Sequence, residues 1–311
     1  MDFVSDTCPY EEGEILDLHL LRPHDPQQPD QIEATIVDLF QPFTLSCAMK
    51  VRIDNHRKLA SEGNMVLKLF DRRFTTEFRR VWNVDVWTPE AENEFHQFVN
   101  DPASSNFLAD IQKDKVSNSP FDIRMSAGQS EAWMNQAMLD FYNTEVKAYD
   151  TLSDVQGDVV PRLIGLVTAS SSSSVSPGPL DQPTAIPGIL LQYIRGFQLK
   201  DLGSHAPKEL WDGICQDAMQ LLRATGERGI LNLDVQVRNV IVKKLRANHY
   251  KPFMIDLAIC RFRAEAKDEE EWRQWRVDED EEGWLGRGME DHLDEDYFYR
   301  RSAYSKQLRG E

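Results

Sequence analysis

The sequence predicts an α+β protein built mainly from antiparallel strands and a few long helices. Short runs rich in β-branched and aromatic residues carry the strand assignment: Ile32 to Phe40, Phe43 to Ile53 and Met65 to Phe70. The helices are read from apolar residues recurring every three or four positions, in Ser130 to Leu152 and in Pro207 to Arg228. Two further strand-like runs, Val159 to Val167 and Gly188 to Gly196, lie between those helices.

With 311 residues, 41% of them hydrophobic, the chain can bury one large core or two smaller ones. A formal net charge of -17 argues against nucleic acid or an anionic membrane as partner, because both would be repelled. Cys8, Cys47, Cys215 and Cys260 are scattered without a C-x-x-C pair, which predicts reduced, mostly buried thiols. Neither a signal peptide nor a run of about 18 apolar residues is present, so the expected location is cytoplasmic or nuclear.

Residues 1–30 are polar and hold Pro23, Pro26 and Pro29, which predicts a loosely held N-terminal arm. Strands then flank the polar turn Asn55 to Asn64, and the third contains Lys68 within Met65-Val66-Leu67-Lys68-Leu69-Phe70. A lone lysine in an apolar strand either snorkels from an edge or is a buried cation kept for anionic oxygens. On the following helix, Trp133, Ala137, Phe141, Glu145, Ala148 and Leu152 define one face. Glu145 is its acid, and a charge on such a face needs a partner. Lys68 would explain both anomalies.

Between them, residues 71–129 form an insertion that opens with Arg72, Arg73, Phe74, Phe78, Arg79, Arg80 and Trp82. It reads as a surface elaboration, or more sharply as a platform for a substrate or partner, and contains a helix from Pro89 to Val99. Ser170 to Ser174 with Pro177, Gly178 and Pro179 reads as a linker.

The most telling stretch is Asn232-Leu233-Asp234-Val235-Gln236-Val237-Arg238-Asn239, followed by the strand Val240-Ile241-Val242. After a polar turn, Pro252-Phe253-Met254-Ile255 runs into Asp256-Leu257-Ala258. Two carboxylates and an amide at the ends of paired strands can hold Mg²⁺ and steer a hydroxyl.

These segments resemble the catalytic half of the protein-kinase-like superfamily, whose motifs read H-R-D-x-x-x-x-N and D-F-G. Val66-Leu67-Lys68 is similar to that family's V-A-I-K strand, and the wording of Gly188 to Gly196 and of Asp256 to Cys260 resembles a group of atypical fungal protein-kinase-like proteins. The resemblance spans about Ile32 to Ala258 and implies a two-lobed fold, with an antiparallel N-lobe sheet over 31–195 and a reduced helical C-lobe over 196–311. It also implies ATP and Mg²⁺ as cofactors. Lys68 would hold phosphates and be oriented by Glu145. Leu191, Gln192, Tyr193 and Ile194 would line the adenine. Asn239 and Asp256 would bind Mg²⁺, and Asp234 would accept the proton of an acceptor hydroxyl on a protein or a small molecule.

Three departures qualify this. The place of the family's glycine-rich loop reads Phe40-Gln41-Pro42-Phe43-Thr44-Leu45-Ser46, which offers phosphates poor backbone access. Gly283, Gly286 and Gly288 come too late in the chain to replace it. His and Gly of the two motifs become Asn232 and Ala258, and no A-P-E follows. The expected function is therefore an ATP- and Mg²⁺-dependent phosphotransferase, or alternatively a pseudokinase that binds or scaffolds. The acidic runs Asp268 to Glu271 and Asp278 to Glu282 are expected to form helices with Trp272, Trp275 and Trp284 inward.

Overall fold

A computed structural model describes residues 8–22, 25–113, 125–170, 185–293 and 297–311. Two compact units divide the chain: Met1–Asn143 with Leu163–Tyr193, and Thr144–Arg162 with Ile194–Glu311.

In the first unit, strands with alternating burial curl into a closed antiparallel barrel. They are β1 (Ile15–Arg22), β2 (Asp25–Leu39), β3 (Cys47–Ile53), β4 (Asn64–Leu69), β5 (Leu163–Ser170) and β6 (Ala185–Gln192), in spatial order β1-β2-β3-β4-β6-β5. Cys47, Met49, Val51 and Ile53 point inward from β3, and Met65, Leu67 and Leu69 from β4, which is the two-residue period of a strand with one face on a core. The expected arm over 1–30 is corrected here. Residues 15–22 are a stave of the barrel, pairing with β2 on one side and β5 on the other, with Leu18 fully buried.

Helices α1 (Arg57–Ala60), α2 (Thr76–Val81), α3 (Pro89–Asn100) and α4 (Ser105–Lys113) also belong to this unit. So does the first part of α5 (Ala127–Thr151), where Trp133 stacks on Phe78 of α2 at 5.7 Å and Phe141 meets the same ring edge-on at 5.2 Å. Thr88 caps α3 by accepting from Ala91 N–H.

In the second unit the hairpin β9 (Val240–Arg246) and β10 (His249–Met254) is joined on the β9 side by β7 (Phe197–Gln198). A smaller sheet pairs β8 (Ile230–Asn232) with β11 (Cys260–Phe262). Helices α6 (Leu202–His205) and α7 (Trp211–Glu227) precede β8, and α7 buries Ile214, Ala218, Leu221 and Leu222. Gly229 turns the chain into β8 with φ of +77°, where a side chain would be strained and would press on Arg263.

The acidic segment forms α8 (Glu269–Glu279), α9 (Glu281–Leu293) and α10 (Ala303–Arg309). Trp272 packs inward as expected, but Trp284 does not: it is 57% exposed, with Arg287 over its ring. The two lie on different helices, and on α9 the inward face is taken by Leu285, Met289 and Leu293. Gly283, Gly286 and Gly288 lie inside α9, and a Cβ on Gly286 would meet the Tyr299 ring at 2.3 Å, so close packing accounts for that glycine. The linker reading beyond Ser170 falls outside the described residues. No described helix is long and apolar enough to cross a membrane.

Candidate functional site

The stretch between β8 and β9 is held by its own polar side chains. Asn239, ending a single 3₁₀ turn, donates from Nδ2 to the Asp234 carbonyl at 3.0 Å and to Asp234 Oδ2 at 3.1 Å. Gln236 donates to the other carboxylate oxygen, Oδ1. Asn232 accepts from Asp234 N–H at 2.9 Å and donates to the Asp256 carbonyl at 3.3 Å. It therefore ties the two acidic segments together. Ile255 N–H donates to the Asn239 carbonyl at 2.9 Å, which closes the loop from the hairpin side.

Asp256 has φ of +65°, in the left-handed region, which Asp and Asn tolerate better than other side-chain-bearing residues. Such conformations cost about 1–3 kcal/mol and cluster at functional sites. Burial and the nearby charge of Asp256 raise the pKa of Asp234, while hydrogen bonds from Gln236 and Asn239 and the charge of Arg238 oppose the rise. Two carboxylates that repel one another in a half-buried place form a setting that a cation relieves. Among the described residues no three His, Cys, Asp or Glu side chains form a ready metal cage. Mg²⁺ needs none, since it binds through one or two carboxylates, water and substrate phosphates.

Glu145 and Tyr149 stand one turn apart on the buried face of α5, each with no exposure for Glu145 and Tyr149 alike. Both belong to the second unit, as do Asp234, Asn239 and Asp256.

In the first unit, Lys68 is 7% exposed, so it is not an edge lysine reaching into solvent. Its neighbours Leu67 and Leu69 fill the barrel, which puts Lys68 on the outer face. Register pairs it with Ala48 and Ile189, and pairs Val66 with Leu191. One face of three adjacent strands thus carries a buried ammonium among Ala48, Val66, Ile189 and Leu191. Gln192 ends β6, Tyr193 follows it, and the boundary between the units falls between Tyr193 and Ile194.

Sequence reasoning missed two residues. Lys50 lies on the same strand face as Ala48, bound to Asp38 at 2.8 Å and 5.6 Å from the Tyr193 ring centroid. An alternating strand shows where such a lysine points but not what it meets. Glu281, within an acidic run that reads as solvated, is buried and accepts from Asn232 N–H at 2.9 Å. No local pattern separates it from Asp280 and Glu282.

Burial pushes the Glu281 carboxyl up to about 8, against the Asn232 N–H bond and the charge of Arg276, which lower it. A group whose folded pKa is raised contributes stability that is lost as pH rises from the unfolded value towards the folded one. Between pH 6 and 8.5 wild type should therefore lose about 2–3 kcal/mol through this group. Glu281→Gln should flatten that fall, as read by urea denaturation across the range. Parallel pH profiles in the two proteins would remove Glu281 as the cause.

Most of the basic side chains that open the insertion are turned inward and paired. Arg79 is buried and makes paired 2.8 Å hydrogen bonds to Glu131, and Arg72 reaches Glu92 at 2.8 Å and Glu131 at 3.3 Å. Arg73 and Tyr10 both donate to the buried Asp71. Of the cluster, Arg80 alone is strongly exposed, paired with Glu77. Buried guanidinium groups demand carboxylate partners, and this segment and α5 supply them. The loop between β2 and β3 is likewise anchored: Phe43 is buried edge-on to Tyr10 at 6.1 Å, and its carbonyl accepts from Glu77 N–H and the Thr76 hydroxyl.

No protein-family model matches the chain, and no curated protein matches it. Among solved structures, one described as "WaaP in complex with acyl carrier protein" is similar over 94% of this chain and 86% of that chain, at 9% identity and a TM-score of 0.41. The chemistry of the site rests on its own residues.

Proposed function

We propose that this chain is an ATP- and Mg²⁺-dependent phosphotransferase of the protein-kinase-like fold. The observation that carries the reading is the Asp234–Asn239 pair, bridged through Asn232 to Asp256 in its left-handed conformation. The raised pKa of Asp234 suits it to proton acceptance, and Asp256 with the amide oxygen of Asn239 would take the cation.

In this reading Asp234 accepts the proton of the acceptor hydroxyl, while Gln236 and Asn239 fix its orientation. Asp256 and Asn239 hold Mg²⁺, which when bound would neutralise charge on the transferring phosphoryl group. Lys68 takes the α/β-phosphates and Glu145 is its orienting partner. Leu191 with Gln192, Tyr193 and Ile194 receives the adenine. The acceptor is a small molecule or a protein. Catalysis is mainly positioning and electrostatics.

A second reading is a pseudokinase that binds or scaffolds. It is favoured by the loop Phe40 to Ser46, whose anchored Phe43 and Pro42 replace amides that would cap phosphates. Loss of those hydrogen bonds, each about 1.5–3 kcal/mol to a charged acceptor, makes nucleotide affinity depend steeply on Mg²⁺.

Thermal shift with ATP, in Mg²⁺ and in chelator, tests binding, and single-turnover transfer from labelled ATP to a panel of acceptors tests chemistry. Asp256→Asn should keep the fold, because Asn accepts the same backbone conformation, and should remove the Mg²⁺-dependent part of the shift. An undiminished shift in that variant would take Asp256 out of the metal site. Mg²⁺-dependent binding without transfer to any acceptor would favour the scaffold.

A further inference from the structure

Tyr149 is the buried group that the proposed chemistry leaves unused. Its side chain has no solvent exposure, yet its hydroxyl has no hydrogen-bond partner among the described residues. Gln156 donates to its backbone carbonyl at 2.8 Å. A buried hydroxyl left unpaired is destabilising, and buried polar groups in folded proteins are overwhelmingly paired with protein or with ordered water. Packing alone gives no reason to place a tyrosine here, since a phenylalanine would fill the same space without that cost.

Its surroundings point to what it serves. Glu145 lies one turn earlier on the same buried helix face, and side chains four apart on a helix are neighbours. The negative charges of Glu145 and Asp256 both act on the hydroxyl, strengthening the hold that burial has on its proton. The group is thus a buried hydroxyl without a partner among the described residues, within the field of the residue assigned to the cation. Mg²⁺ dehydrates reluctantly and keeps several waters, and those waters need hydrogen-bond partners in the protein.

We propose that Tyr149 is a positioning residue of the magnesium site, its hydroxyl hydrogen-bonded to a water in the coordination shell of the cation that Asp256 ligates. This rests on the phosphotransferase reading of the same site. The hydroxyl fixes one water and, through it, the orientation of the Asp256 carboxylate. Loss of a partner in that outer shell typically weakens metal binding by about 10–100-fold.

Tyr149→Phe removes the hydroxyl and keeps the ring. The measurement is the Mg²⁺ concentration at half-maximal thermal shift with a non-hydrolysable ATP analogue, together with the melting temperature of the protein alone. The midpoint should rise about tenfold in Tyr149→Phe, with nucleotide binding in chelator unchanged. Tyr142→Phe, a buried tyrosine two turns earlier on α5, should leave the midpoint where it was. If Tyr149→Phe does not fold by circular dichroism, Tyr149→Leu replaces it with the same expectation. An unchanged midpoint with a higher melting temperature would mean that the hydroxyl is only an unsatisfied group, and would overturn the assignment while leaving Asp256 in place. No Mg²⁺-dependent shift in wild type would overturn the phosphotransferase reading, and this inference with it.

Discussion

Asp234→Asn is expected to abolish phosphoryl transfer and, in the same protein, to raise the melting temperature. A positioned general base contributes about 10²–10⁴-fold in rate, so single-turnover transfer should fall by that factor while ATP affinity stays within about twofold. The stability gain follows from the raised pKa of Asp234, caused first by burial and then by Asp256. The contribution of such a carboxyl is fully present below the unfolded pKa and is lost as pH rises through the folded one, so at neutral pH its charge destabilises the fold. A neutral amide removes that cost. For the same reason the acid limb of the wild-type activity profile should lie above the ordinary aspartate value of 3.8. Turnover within threefold of wild type in Asp234→Asn would end its assignment as the base.

Glu131→Ala should be the most destabilising single change in the first unit. Glu131 receives both guanidinium nitrogens of Arg79 and a third contact from Arg72, with every side chain 6% exposed or less. Its removal takes the carboxylate from buried Arg79 and leaves Arg72 with Glu92, and breaking one side of a buried pair costs about 3–5 kcal/mol. Arg79 also donates to the carbonyls of Arg72 and Asp85, so the loss should extend to the segment from α2 to α3. Chemical denaturation gives the number, and Arg80→Ala, which removes an exposed partner of Glu77, is the control expected within about 1 kcal/mol of wild type. A Glu131→Ala loss no larger than the control's would show that Arg72 and Arg79 find water instead.

Much of this was legible in the sequence where the signal is local. The β3 and β4 strands, the apolar face of α5 and the polar trio Asp234, Asn239 and Asp256 each follow from spacing over a few residues. The strand over residues 15–22 was equally local: Leu16, Leu18 and Leu20 alternate with Asp17 and His19. The prolines at 23, 26 and 29 follow directly and carry the opposite signal, that of a loop. The pairing of the arginine cluster is not local. Composition reports that cations are present, and only the tertiary structure reports that Glu92 and Glu131 meet them. Glu281 and Tyr149 belong to the same class. What makes them unusual is burial beside Asn232 in one case and near Asp256 in the other, both far away in the chain.

The closure of the barrel by β1 sets an order of events during synthesis. Along one side β1 meets β2, its immediate successor, so a hairpin can form as soon as residue 39 has emerged. On the other side the partner of Leu18 is Ala169, and the chain must pass through the whole insertion and all of α5 before that stave exists. Until then β1 presents an unpaired row of amides and carbonyls, a template for any neighbouring chain. Non-local pairings of this kind slow folding, since loop closure has to precede the contacts that reward it. Ribosomal elongation at about 5–20 residues per second makes that a wait of roughly 7–26 seconds for the open edge. A chaperone that engages the nascent chain early therefore has a defined target, the free side of β1.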